Sequence, residues 1–259
     1  MEPQSSGLLP KFFFALVTLF LLVPMMIIVP LSFSTADFLQ FPPHDLGLRW
    51  YAVYFNDPVW IDATLRSVRV GVSASLISTI AGTAAAVWIS RRHGSLRSFV
   101  ATLFLVPSII PNIIIALGVF MLAIQLSATG SEIVLALAHA MLGLPFVTLI
   151  VGGAIAQVNI APEQAARIFG AGPLRAFFAT TFRALLAPIC SAAIFAFFVS
   201  FDELVIALFT SGTNITLPVR IWSDLRYEIN PTLAAVASML IALNTVFLLL
   251  AEFLRRRSQ

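Results

Sequence analysis

The sequence predicts an all-α fold, a six-helix transmembrane bundle. Hydrophobic residues make up 59% of the 259-residue chain, charged residues make up only 10%, and the mean hydropathy is +0.98. Soluble globular domains carry about 25% charged residues. The apolar residues are concentrated in six long runs. A run of about 20 residues is long enough to cross the roughly 30 Å hydrocarbon core once as a helix.

The six runs are expected to form one transmembrane domain over residues 1–259, because no segment between them is long enough for a separate soluble domain. In the third run, Pro107, Pro111 and Asn112 loosen the helical hydrogen-bond ladder and predict a kink. His139 and Asn244 are single polar residues on apolar runs and are expected to hydrogen-bond between helices. The predicted spans are 12–33, 68–89, 99–122, 133–155, 185–209 and 233–253.

The distribution of basic residues predicts the orientation, because cytoplasmic loops retain Lys and Arg. Lys11, the Arg91-Arg92-His93 cluster, the arginines of residues 159–183 and Arg255-Arg256-Arg257 all fall on one side of the predicted spans. That side is expected to be cytoplasmic, with both termini. Segments 34–65 and 211–232, which hold six of the twelve acidic residues, are expected outside.

A polar interruption at residues 159–183 separates the fourth and fifth runs. Pro suits the first turn of a helix and Gly its end, so Pro162 and the Gly170-Ala171-Gly172-Pro173 sequence predict two short helices joined by an elbow. A structured, basic cytoplasmic loop of this kind indicates a docking site for another protein. The alternative is an amphipathic helix that lies in the anionic headgroups.

Two neighbouring carboxyls, Asp202 and Glu203, fall inside the fifth run. A charge at the membrane centre costs roughly 2.5–3.5 kcal/mol on insertion scales, so the pair needs an explanation. Either the carboxyls line a water-filled path for a cationic substrate, or they pair with Arg66 or Arg69 or cap a broken helix. Adjacent helical residues point about 100 degrees apart, so one carboxyl is expected to bind while the other packs.

Several enzyme classes are excluded by what the sequence lacks. It has no Gly-x4-Gly-Lys-Ser/Thr loop, and Lys11 is its only lysine. It has no Cys/His cluster for a metal and no Gly-x-Ser-x-Gly elbow. The chain is therefore not expected to be an enzyme, to hold a cofactor or metal, or to bind nucleic acid.

The polar loop resembles the coupling loop of bacterial ATP-binding-cassette (ABC) importer permeases, whose pattern is Glu-Ala-Ala, three residues, Gly, nine residues and Ile-x-Leu-Pro. The stretch from Gln164-Ala165-Ala166 to Gly170 matches its first half. Other motifs resemble the permeases of spermidine/putrescine type importers. These are Ser200-Phe201-Asp202-Glu203, Leu217-Pro218-Val219-Arg220-Ile221, Ile229-Asn230-Pro231, Leu144-Pro145-Phe146-Val147 and Arg49-Trp50-Tyr51.

Three positions depart from the family pattern. Gln164 stands where the loop usually has Glu, although the neighbouring Glu163 is available for that role. Residues 180–183, Thr-Thr-Phe-Arg, replace Ile-x-Leu-Pro. Asn112 follows Pro111 where polyamine permeases commonly carry Asp, and the lost carboxylate favours a singly charged or zwitterionic amine or amino-acid derivative over a polyamine.

The resemblance implies a type I ABC importer permease that forms half of a heterodimeric translocation path for a small, polyamine-like organic cation. Its implied partners are a second permease subunit, an ATPase dimer that binds ATP and Mg, a periplasmic substrate-binding protein and membrane lipid. The implied location is the bacterial inner membrane. A secondary transporter that uses Asp202 or Glu203 as a proton or ion relay is the alternative, and a non-transporting scaffold is a third possibility. The implied site residues are Glu163, Gln164, Ala165, Ala166 and Gly170 for ATPase coupling, and Trp50, Asn112, Ser200, Asp202 and Glu203 for the substrate path.

Overall fold

The structure is a computed structural model that describes residues 8–227 and 230–257, with side chains for residues 9–227 and 230–246. The described residues form twelve α-helices and no β-strand. They divide into two compact units, one of residues 1–61 and 221–259 and one of residues 62–220. The predicted all-α fold is therefore confirmed.

The smaller unit contains three helices and the connection between the first two. Trp50 is buried and donates its indole N–H to the carbonyl of Ala36 at 3.1 Å, while Arg49 forms an ion pair with Asp37 at 2.7 Å. Helix α12 packs against both α1 and α2. The helices of this unit are α1 (Leu8–Ser32), α2 (Arg49–Asn56) and α12 (Thr232–Arg257).

The larger unit contains the remaining helices, of which the first and last extend across its boundary. A 3-10 turn, Val106–Ser108, lies between α4 and α5. The helices are α3 (Pro58–Ser90), α4 (Ser95–Leu105), α5 (Asn112–Gln125), α6 (Glu132–Ile155), α7 (Ala161–Ile168), α8 (Pro173–Ala179), α9 (Thr181–Phe201), α10 (Val205–Thr210) and α11 (Leu217–Tyr227).

Small residues bring the long helices of the larger unit close together. A Cβ added at Gly82 in α3 would lie 2.8 Å from the side chain of Val147 in α6, and one added at Gly143 in α6 would lie 2.8 Å from Ser78 Oγ in α3. Ser75 in α3 donates a hydrogen bond to the carbonyl of Ala193 in α9 at 2.6 Å. Membrane helices usually associate through close packing of small residues. The hydrophobic effect does not drive their association, because lipid tails are as apolar as the helix surfaces.

Four described helices are long and apolar enough to cross a membrane: α1, α3, α6 and α9. The pair α4 and α5 would provide a fifth crossing, and the described apolar part of α12 covers Thr232–Val246. Helices occur in all six predicted runs. Ile229 and the side chains of Arg255 to Arg257, which the sequence analysis named, lie outside the described residues.

The prediction of a continuous third span over 99–122 is wrong. The helix is interrupted between α4 and α5, whose axes differ by 96°. Pro107 and Pro111 have no N–H to donate, and each disfavours helical conformation in the residue before it. The predicted kink at these prolines is thus confirmed, although the bend is much sharper than a kink.

The fifth span also differs from its predicted range of 185–209. Helix α9 begins earlier, at Thr181 within the polar loop, and ends at Phe201; α10 begins only at Val205. Glu203 stabilises this break, because its Oε1 accepts the N–H of Ile206 at 2.8 Å. Other helices differ in extent or were missed. Helix α3 begins ten residues before the predicted 68, because Asp57 Oδ1 accepts the N–H of Val59 in its first turn, and α2 and α11 were not predicted.

The close approach at Gly82 leads to a stability prediction. We expect Gly82→Ala to destabilise the protein by about 1–3 kcal/mol, because its methyl group has no room beside Val147. Gly153→Ala in α6 is the matched control, since nothing lies within 4 Å of a Cβ added there. Thermal unfolding of the purified protein in detergent measures both. Equal melting temperatures for the two variants would contradict the α3–α6 packing.

Candidate functional site: the polar loop and the polar break in the membrane helices

The polar loop forms the two short helices that its sequence predicts. Helix α7 starts where Asn159 Oδ1 accepts the N–H of Ala161 at 2.9 Å, and Pro162 fits its first turn. Gly170 follows α7 with a φ of +89°, a conformation that strains other residues, and α8 begins at Pro173. The Gly-Ala-Gly-Pro elbow is therefore confirmed.

The loop exposes large apolar side chains. Ile168 is 84% exposed, Phe169 is 90% exposed and Leu174 is 74% exposed, and all three lie at or beside the elbow. An exposed apolar patch on a polar loop indicates an interface with another protein. The predicted coupling residues Gln164, Ala165 and Gly170 are also exposed, and Ala166 is half-buried.

Glu163 faces the opposite way from Gln164. Its side chain is buried and accepts hydrogen bonds from Arg91 at 2.7 Å, from Arg167 at 2.8 Å and from the hydroxyl of Thr181. Gln164 is thus exposed to solvent, whereas the carboxylate of Glu163 is hydrogen-bonded within the protein. The sequence could not reveal these contacts, because Arg91 is 72 residues away and was counted only as a cytoplasmic charge.

The surroundings of Glu163 keep its carboxyl ionised. Burial disfavours the charged form, but the hydrogen bond from Thr181 and the charges of Arg91 and Arg167 outweigh it and hold the pKa of Glu163 below its ordinary value. A lowered pKa means that the ionised contacts persist above about pH 4.3, the usual glutamate value, and are lost as the pH falls through the lowered pKa. The ion pairs are therefore intact at neutral pH.

A second polar group lies where the membrane helices are interrupted. Asn112, the first residue of α5, donates a hydrogen bond to Glu203 Oε2 at 3.2 Å. His139 in α6 lies 2.8 Å from the hydroxyl of Ser200 near the end of α9, as expected of an interhelical hydrogen-bonding group. The structure therefore brings together Asn112, Glu203 and the break between α9 and α10, with Ser200 one turn earlier.

Asp202 and Glu203 have different environments. Glu203 is 8% exposed and accepts hydrogen bonds from the side chain of Asn112 and from the backbone N–H of Ile206 in α10. Asp202 is the C-cap of α9, and its side chain is exposed. This agrees with the expectation that one carboxyl packs while the other is available.

Arg66 and Arg69 do not pair with these carboxyls. Arg66 is buried, donates to the carbonyls of Gly130 and Ser211, and lies 4.0 Å from Glu132. Arg69 binds Glu132 at 2.7 Å. The suggested Arg66 or Arg69 partnership with the acidic pair is therefore wrong, and Glu132, at the start of α6, was missed as the true partner.

Trp50, which the resemblance also assigned to the substrate path, lies in the smaller unit. Its indole is buried, its N–H is bonded to Ala36, and the guanidinium of Arg49 lies 4.7 Å from its ring centroid. These contacts give Trp50 a packing role within that unit. In the part of the chain that the structure describes, no three His, Cys, Asp or Glu side chains form a group that could hold a metal.

Residues 75–259 match the family described as the binding-protein-dependent transport system inner membrane component. The chain belongs to this family. It is therefore a multi-pass permease subunit of the inner membrane that serves an ATP-driven importer, and the secondary-transporter alternative is set aside. As a permease, it is a non-catalytic component of that importer.

Named relatives cover nearly the whole permease. It is 28% identical over 249 residues to the putrescine transport system permease protein PotI of Escherichia coli (strain K12), covering 93% of this chain and 88% of the relative. It is 25% identical over 261 residues to the spermidine/putrescine transport system permease protein PotC of Haemophilus influenzae, covering 98% of this chain and 99% of the relative.

Solved structures share the fold of the permease at low identity. A bacterial ABC transporter involved in the import of the acidic polysaccharide alginate matches with a TM-score of 0.72 and 12% identity, over 98% of this chain and 99% of the other. The alginate ABC transporter in complex with an alginate pentasaccharide-bound periplasmic protein gives 0.73 and 17% identity, over 96% and 94%. These matches establish the type I importer permease fold.

The positive φ of Gly170 allows a test of the elbow. A β-branched residue in this conformation costs about 1–3 kcal/mol, so Gly170→Val is expected to change the path of the loop. Transport should be abolished while the protein remains in the membrane, as measured by uptake and by immunoblot of membrane fractions. Gly172→Ala is the control, because Gly172 has a φ of −61° and open space around it. Normal uptake by Gly170→Val would contradict the importance of the elbow.

The contacts of Glu203 predict a graded loss of stability. Glu203→Ala leaves the buried N–H of Ile206 without its acceptor, at about 1–3 kcal/mol, and also removes the hydrogen bond from the exposed amide of Asn112. Glu203→Gln retains one carbonyl oxygen and should cost less. Asp202→Asn should leave the melting temperature unchanged, because that side chain is exposed. Thermal unfolding in detergent would contradict this assignment if Glu203→Ala and Asp202→Asn melted alike.

Proposed function

We propose that this permease imports a small organic cation or amine of the polyamine class and that Asp202 is the carboxyl that meets it. The single observation that carries the proposal is the exposed Asp202 at the break that directly follows α9, a helix long and apolar enough to cross a membrane. A carboxylate there lowers the stability of the inserted chain by roughly 2.5–3.5 kcal/mol, and an ammonium group of a substrate offsets that cost. The names of PotI and PotC, which mention putrescine and spermidine, support the same substrate class.

Asn112 bears on the charge of the substrate. Its neutral amide donates to Glu203, so this position adds no negative charge to the break. A single carboxylate forms one contact ion pair, which the ammonium group of a monocation or of a zwitterionic amine can supply; a second ammonium of a dication adds only the weaker attraction of a more distant charge. A singly charged or zwitterionic amine or amino-acid derivative is therefore the alternative substrate.

The assembly that this function requires contains several further proteins. We assign the chain as one half of a heterodimer with a second permease subunit, served by an ATPase dimer that binds ATP and Mg and by a periplasmic binding protein. The apolar patch at Ile168, Phe169 and Leu174 supports docking of the 159–183 loop to the ATPase, with Gln164, Ala165 and Ala166 beside it. Both termini are then cytoplasmic, on the same side as this loop.

The substrate class is tested by uptake into proteoliposomes. The permease would be purified with the proteins that accompany it in its native membrane, and reconstituted with ATP inside and its binding protein outside. We expect ATP-dependent uptake of labelled putrescine, with weaker uptake of ornithine and choline. Uptake of ornithine or choline but not putrescine would select the alternative substrate, and uptake of none of them would overturn the amine assignment.

The role of Asp202 is tested in the same vesicles. Asp202→Asn should lower the rate at subsaturating putrescine about tenfold, which corresponds to roughly 1.4 kcal/mol, because the neutral amide cannot pair with an ammonium group. Asp45→Asn is the matched control, because Asp45 is also exposed but lies in the smaller unit. An unchanged rate for Asp202→Asn would remove this carboxyl from the substrate path.

A further inference from the structure

Glu163 is a buried carboxylate in a loop whose neighbouring side chains are exposed. Only 2% of the residue is accessible, whereas Pro162 and Gln164 on either side are exposed. Removing a carboxylate from water costs several kcal/mol unless it is paired and hydrogen-bonded. The contacts that the buried Glu163 carboxylate makes must therefore offset this cost.

The partners of Glu163 come from separate helices. Arg91 directly follows α3, Thr181 is the first residue of α9, and Arg167 is one turn further along α7 itself. Oε2 accepts both from Arg91 and from Thr181, while Oε1 accepts from Arg167. One carboxylate thus ties α7 to the ends of two membrane-spanning helices.

Helix α8 packs against both α7 and α9, and the ring of its Phe177 lies 5.0 Å from the guanidinium of Arg91. A cavity of about 470 Å³ borders Arg91, Glu163 and Thr181. A second cavity of about 800 Å³ borders Arg91 on the side of Phe177 and Phe182. Because these cavities lie on both sides of Arg91, its ion pair with Glu163 is the direct link between α7 and the end of α3. Charge-assisted hydrogen bonds are shorter and stronger than neutral ones, so this link holds α7 in a defined orientation.

We propose that Glu163, Arg91 and Thr181 form a joint that makes the coupling loop move as one rigid body with α3 and α9. We refer to these three residues as the α7 joint. Within the α7 joint, Glu163 positions the loop through contacts in its own chain. The exposed face of the loop remains accessible to the ATPase. This inference rests on the proposed docking of the loop to an ATPase, and it adds the means by which that motion reaches the membrane helices.

The position of α3 makes this joint effective. Arg91 lies 25 residues beyond Arg66, a distance of about 37 Å along a helix, which exceeds the hydrocarbon thickness. Arg66 in turn binds the carbonyls of Gly130 and Ser211 at the opposite end of the unit. A displacement of α7 is therefore carried by one helix to the loops that follow α5 and α10.

Rigidity is tested by distances between spin labels in the complete complex in lipid nanodiscs. In a Cys190→Ser background, labels at Arg175→Cys in α8 and Ile80→Cys in α3 report the distance from loop to helix; both native side chains are exposed. We expect one narrow distribution that is unchanged by ATP. Glu163→Ala should broaden it at least twofold. An equally narrow distribution in Glu163→Ala would overturn the proposal.

Thr181 provides a milder pair of variants in case Glu163→Ala does not assemble. Thr181→Val is nearly isosteric but cannot donate to Glu163, whereas Thr181→Ser keeps the hydroxyl. The distribution should broaden in the valine variant and remain narrow in the serine variant. If both serine and valine variants remain narrow, the hydroxyl is not part of the joint and the proposal fails.

A functional readout separates positioning from simple stabilisation. In proteoliposomes, Glu163→Gln should lower putrescine imported per ATP hydrolysed at least fivefold, with ATP hydrolysis within twofold of the wild type. A parallel loss of both activities would indicate a structural role and overturn the proposal. Arg97→Gln is the control for a lost positive charge outside the loop, because Arg97 in α4 is exposed. The label distances need no substrate, so they remain decisive if putrescine is not the cargo and the substrate assignment fails.

Discussion

A helix that breaks inside a bilayer must find hydrogen bonds for its freed backbone groups within the protein, because lipid offers none. The larger unit meets this constraint by joining two breaks. The interruption before α5 supplies the amide of Asn112, the interruption after α9 supplies Glu203, and the two side chains bond to each other. Glu203 also accepts the first free N–H of α10. Each break is thus tolerated because the other lies beside it.

The same constraint sorts the remaining charges of the larger unit towards helix ends. Helix α3 carries Arg66 and Arg69 near one end and Arg91 just after the other, and small or apolar residues fill the length between them. Each end is held by a carboxylate on another helix, Glu132 at one and Glu163 at the other. A helix fixed by ion pairs at both ends and packed through small residues between them moves as a unit, since neither end can shift without breaking a charged contact.

The hydropathy of the sequence and the positions of its Pro and Gly residues predicted much of this fold. They could not predict which side chains contact each other. Apolar runs located the helices, and Pro162, Gly170 and Pro173 predicted the two helices of the loop, because these residues act on their own backbone. The end of α9 was missed because hydropathy averaged over 20 residues does not register a single capping carboxyl. The inward direction of Glu163 was missed because it depends on Arg91, which is distant in sequence, and on the rotation of α7 about its axis.

The contrast between Asp202 and Glu203 follows from their order in the chain. Asp202 is the last residue to follow the helical path of α9, so its side chain continues around that axis to the surface of the unit. Glu203 follows after the path has turned, where it can reach back to Asn112 and forward to Ile206. Had the helix continued through both, neither residue would have met a free N–H. The break therefore gives one carboxyl a structural role and leaves its neighbour exposed.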